Sequence, residues 1–154
     1  MAYTKAVGTA KLAREFFRAA DLAQRGGPEA DLVSLYLYCH GMELILKAAL
    51  ISGGVKETTL RMLGHDLTST LRTLRRHPKS HNPILTRAES QLLGVLNRMY
   101  SQKEFEYLFT GFRQFPSVAS CAALAARMSS LVPLIESQVR EALKRERADR
   151  NSAA

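Results

Sequence analysis

The apolar positions along the chain recur at helical spacing almost throughout. Leu12, Phe16, Ala20 and Ala23 form one stripe behind Thr9, a candidate N-cap, and Gly26-Gly27-Pro28 ends that segment. A second helix opens at Pro28 with Glu29 and Asp31 in its first turn, where proline and acids are favoured, and stops at Gly53-Gly54. A short connecting helix is expected over Lys56 to Leu63. Leu67, Leu71 and Leu74 then mark a brief amphipathic helix starting near His65-Asp66. The stretch His77 to Pro83 reads as a loop. Another helix follows Thr86, with Leu92, Val95, Leu96 and Met99 facing inward. The spacing around Phe105, Tyr107, Phe109, Phe112 and Phe115 is ambiguous. Ser117 caps a final helix whose stripe runs from Cys121 through Leu124, Met128, Leu131, Ile135 and Val139 to Leu143. Pro133 falls inside it and predicts a bend or a division into two helices.

The fold class is therefore all-α: an up-and-down bundle of four to five main helices with a short connecting helix, in one domain over residues 1–144. The segment 145–154 lacks an apolar stripe and is expected to fray as a basic tail. The central helix is expected to be wrapped by the first, fourth and last helices.

Residues 32–51, LVSLYLYCHGMELILKAALI, are apolar on nearly every face, the pattern of a helix surrounded by protein. Within them Tyr36, His40, Glu43 and Lys47 follow at steps of four, three and four, inside an arc of about 60° at roughly 100° per residue. Ionisable groups on a buried helix must neutralise one another, pair with another element, or front a cleft. Glu43 and Lys47 have the favourable i, i+4 order, and His40 reaches Glu43 from one turn back. Such a stripe is either a network that fixes helix register or a cleft that binds a ligand. Asp66 suits a helix cap and is also a candidate partner for Lys47.

The chain carries 22 Lys and Arg against 14 Asp and Glu, a net +8, and the distribution is uneven. Between Asp66 and Glu89 there is no acid, yet Arg72, Arg75, Arg76, Lys79 and Arg87 fall there, beside His77 and His81. Such a segment attracts polyanions through counterion release, or it is simply a solvated loop that aids solubility. Cys39 and Cys121 sit in apolar helical patterns and read as buried thiols rather than a disulfide framework. No HExxH or CxxC accompanies His40 and Glu43, so no metal or cofactor is expected. The opening MAYTKAVGTAK lacks an apolar signal core, and uncharged runs are broken before a membrane span is reached. The expectation is a cytoplasmic protein without membrane contact.

The run CHGMELILKAALISGG followed by LRMLGHDLTSTLRTL resembles the HEPN group of small prokaryotic helical domains. The likeness rests on Glu43, Leu46 and Lys47, a short connection, and Leu63-Gly64-His65-Asp66-Leu67 opening the next helix. MYSQKEFEYLFTGFRQFPS fits the tyrosine-rich segment before the last helix of such proteins. The resemblance implies a bundle that is frequently a homodimer. It also implies a role on RNA, as ribonuclease toxin or as RNA-binding partner of a nucleotidyltransferase. In the ribonuclease branch an Arg is followed by four to six residues and a His. Arg72 and His77 match that spacing, with His77 as general acid or base and Arg72 stabilising phosphorane charge. The Arg75 and Arg76 matches to His81 contain Pro78, which breaks the helix that would aim them together. Three functions follow: a non-enzymatic module binding RNA or a partner protein, a metal-independent ribonuclease using Arg72 and His77, or an interaction protein that touches no nucleic acid.

Overall fold

The computed structural model describes residues 2–105 and 114–152. Tyr107, Phe109 and Phe112 of the aromatic segment lie outside the described residues. Phe105 and Phe115 at its two ends form a tilted ring pair with centroids 6.1 Å apart.

Among the described residues the structure is all-α. Helix α1 spans Ala2–Gln24, α2 Asp31–Ser52, α3 Glu57–Leu63, α4 Leu67–Arg76, α5 Arg87–Ser101, α6 Val118–Ser129 and α7 Leu131–Ser152, with a 3-10 turn at Pro28–Ala30. Helix α2 is the hub: α1, α4, α5, α6 and α7 all pack against it. Its core residues include Leu35, Tyr38, Met42, Ile45, Leu46 and Leu50, each essentially without solvent contact. Local signals fix most boundaries. Gly53 caps α2, with Gly54 following at φ 90°, and Asp66 caps α4 by accepting from Ser69 N at 2.8 Å. Thr86 and Glu89 form a reciprocal capping box on α5, and Ser117 caps α6. The last apolar pattern divides at Ser130, so that Pro133 lies in the first turn of α7, where its missing N–H costs nothing.

Several expectations need correction. Helix α1 starts at Ala2, and Thr9 is inside it, donating its hydroxyl to Lys5 O at 2.8 Å. The buried face of α1 is Ala6, Ala10, Ala13, Phe17 and Ala20, whereas Leu12 is half exposed. Small side chains face α2 because Gly41 brings the two helices close. A Cβ on Gly41 would lie 2.5 Å from the Phe17 ring and 3.1 Å from the Ala13 carbonyl. On α5 the inner face is Leu93, Leu96, Met99 and Tyr100, and Val95 is partly exposed. The segment beyond Lys144 is not frayed. It stays helical to Ser152 although exposed, with a Lys144–Glu141 pair at 3.0 Å and an Arg150–Glu146 pair at 3.8 Å.

By length and composition two segments, Pro28–Ser52 and Val118–Ser152, are apolar enough to cross a membrane, against the expectation that no run is long enough. In this fold 72% of the apolar window of the first is buried inside the protein, and 44% of the second. Core packing accounts for the apolarity of α2.

Candidate functional site

The polar stripe of α2 lies in the interior. The Glu43 side chain is 4% exposed and Lys47 18%. One carboxylate gathers three donors from three elements. Lys47 Nζ donates to Oε1 at 2.6 Å from the next turn of α2. On Oε2, Tyr100 OH of α5 donates at 2.6 Å, and His65 Nδ1, from the connection between α3 and α4, lies at 2.9 Å. The Lys47 ammonium also donates to the Gly64 carbonyl at 2.7 Å. Burial alone would raise the Glu43 carboxyl, but the bonds from Lys47, Tyr100 and His65 outweigh it and hold the group below its ordinary range.

Hydrogen-bond bookkeeping assigns the rest. Tyr100 gives its proton to Glu43, so its oxygen accepts from His40 Nδ1–H across 2.8 Å. The His40 ring lies stacked on Tyr36, with centroids 6.1 Å apart, and edge-on to Phe16 at 4.4 Å. Burial pushes His40 below its ordinary imidazole value, against the opposing pull of Glu43. Desolvation and the Glu43 bond drive the Tyr100 hydroxyl far up, so it stays protonated.

The structure thus brings together Tyr36, His40, Glu43, Lys47 and His65, and adds Tyr100, which the sequence reading did not single out. Tyr100 stands at the start of the segment MYSQKEFEYLFTGFRQFPS, but its pairing with Glu43, 57 residues away, is not readable from any local pattern. Asp66 stands apart from the cluster. Its carboxylate is occupied by Ser69 N and Ser69 Oγ, both at 2.8 Å, while Lys47 turns to Glu43 and Gly64. The proposed Lys47–Asp66 pair is replaced by a helix cap.

The basic segment occupies a different region. Arg72, Arg75 and Arg76 are exposed on α4, opposite the buried Leu67, Thr70, Leu71 and Leu74. Their spacing keeps them within an arc of about 100°. Lys79 and Arg87 are exposed at the two ends of the following loop. No hydrogen bond joins Arg72 to His77: the His77 ring lies against Ser80, with Nδ1 2.9 Å from Oγ. The loop is pinned by Gln138 of α7, which accepts from Ser52 Oγ at 3.0 Å and donates to the Lys79 carbonyl at 2.5 Å. Beside it opens a cleft of about 780 Å³, walled by Lys79, Ser80 and His81 on one side and by Glu141, Arg145 and Asp149 on the other.

Cys39 and Cys121 are buried and free, and burial pushes Cys121 up to about 12. No group of three or more His, Cys, Asp or Glu placed to hold a metal ion occurs among the described residues. Compared with known proteins, the chain matches no protein-family model, no curated protein and no solved structure.

Proposed function

We propose that the chain is an HEPN-like helical module that binds RNA, with Arg72, Arg75, Arg76, Lys79 and Arg87 facing the phosphates. One observation carries the reading. All five cations are exposed, and none has a carboxylate partner among the described residues. Lys11, Arg14 and Arg25 also hold no ion pair among the described residues, so what sets the five apart is their concentration on a segment with no Asp or Glu between Asp66 and Glu89. Cations left unneutralised on one acid-free segment create the positive potential that steers and retains a polyanion. The Glu43 cluster supports the family part of the proposal. It gives a physical role to Glu43, Lys47 and His65, three of the residues on which the resemblance rests.

The test is fluorescence anisotropy with a labelled single-stranded RNA over a range of salt. Five engaged phosphates predict a slope of log affinity against log salt of roughly −3.5, at about 0.7 per contact. Replacing Arg72, Arg75 and Arg76 together by Gln should flatten that slope by about 2. An absence of binding at low salt would refute the proposal.

A further inference from the structure

One ring in the basic segment has surroundings unlike the others. His77 is the C-cap residue of α4, its backbone N–H donating to Leu74 O at 3.1 Å. The same ring packs against Gly53, the C-cap of α2, where an added Cβ would lie 3.0 Å from Nδ1. The carbonyl ends of two helices therefore meet at one imidazole, and helix carbonyl ends are where positive charge is favoured. On its own segment the charged neighbours are Arg75, Arg76 and Lys79, all exposed cations. The end of α2 contributes Ser52, Gly53 and Gly54 and no charge. The α7 groups Glu141, Arg145, Glu146 and Asp149 share their cleft with His81 and Lys79, whereas His77 is not among the residues that line it.

We propose that RNA binding by this surface is proton-linked through His77, the ring taking up one proton from solvent when a phosphate docks beside it. The inference rests on the RNA-binding reading above. A phosphate docked among Arg75, Arg76 and Lys79 adds negative charge beside a ring that already lies at the carbonyl ends of two helices, and so favours its protonated form. Linkage is reciprocal, so lowering the pH through the ordinary imidazole range tightens binding. His81 instead lines the cleft shared with Glu141, Glu146 and Asp149.

The experiment measures affinity for a labelled 2′-O-methyl RNA, which cannot be cleaved through its 2′ oxygen, at about pH 6 and about pH 8, on either side of the imidazole value near 6.5. Far-UV circular dichroism at both pH values confirms that the fold is intact. Binding is expected to be several-fold tighter at the lower pH, up to about tenfold for one pK unit of coupling, with a salt slope steeper by about 0.7. His77→Gln should bind weakly at both pH values, and His77→Lys tightly at both. His81→Gln should keep most of the dependence. Equal affinity and slope at the two pH values would overturn the proton linkage and leave RNA binding standing, as would an unchanged pH dependence in His77→Gln. No binding at either pH would remove the RNA reading itself.

Discussion

Glu43 shows what a single buried carboxylate can organise. It accepts from Lys47, His65 and Tyr100, so removing its charge leaves an ammonium only 18% exposed without its counterion. Breaking a buried pair from one side costs about 3–5 kcal/mol. Glu43→Gln should lower the unfolding free energy by about 3 kcal/mol in urea titrations. Tyr100→Phe should cost less, about 1–2 kcal/mol, since two donors remain on the carboxylate while half-buried His40 loses its acceptor. Equal losses in the two variants would mean that the charge is not what matters. The same residues predict acid sensitivity. His40 and Glu43 are both depressed in the folded state, so at falling pH the unfolded chain takes up each proton first. Stability should be full from about pH 6.5 to about pH 8, decline as pH falls below the ordinary imidazole value, and decline again below the ordinary carboxylate value near 4.3. His40→Gln should remove the first decline and spare the second. A first decline of unchanged size in that variant would clear His40 of the role.

At the level of elements, what was legible in the chain was what local chemistry decides. Gly53-Gly54, Asp66, Thr86 with Glu89, and Ser117 act within a few residues of themselves, and each ends or begins a helix where its type requires. The four-residue polar stripe of α2 was legible for the same reason, as periodicity on one element. The buried face of α1 was legible only in part: Ala20 of the expected stripe is fully buried, whereas Leu12 is half exposed. Side-chain size favours Leu12 and Phe16, but the distance to α2 decides, and Gly41 sets that distance by accepting Phe17 and Ala13 against its backbone. The pairing of Tyr100 was hidden because its partner is on another helix. Gly41→Ala therefore sets two effects against each other. Alanine gains about 1 kcal/mol of helix propensity, while overpacking costs about 1–3 kcal/mol. A Cβ at 2.5 Å from a ring and 3.1 Å from a main-chain oxygen makes the second win, and net destabilisation of about 1 kcal/mol or more is expected in thermal or urea unfolding. A stabilised variant would show that α1 can shift away without loss.

Across the whole molecule, burial falls off along α7. Its buried residues are Leu131, Val132, Ile135 and Val139, and the residues after Lys144 are exposed. Deleting everything beyond Lys144 should therefore change stability by no more than about 0.5 kcal/mol while reducing the helical circular dichroism signal. A loss of several kcal/mol would reveal packing that the exposure of these residues does not suggest. Farther back on the same helix, Gln138 has consequences beyond its two hydrogen bonds. A side-chain amide presents one accepting and one donating end, and here Ser52 occupies the first and the Lys79 carbonyl the second. The stretch bearing Lys79 is thereby riveted to the body of the protein before anything arrives. On the proposed RNA-binding reading, an RNA meeting that stretch would find a finished shape, lose little ordering entropy on contact, and be captured at a rate set by diffusion and ionic attraction instead of a rearrangement.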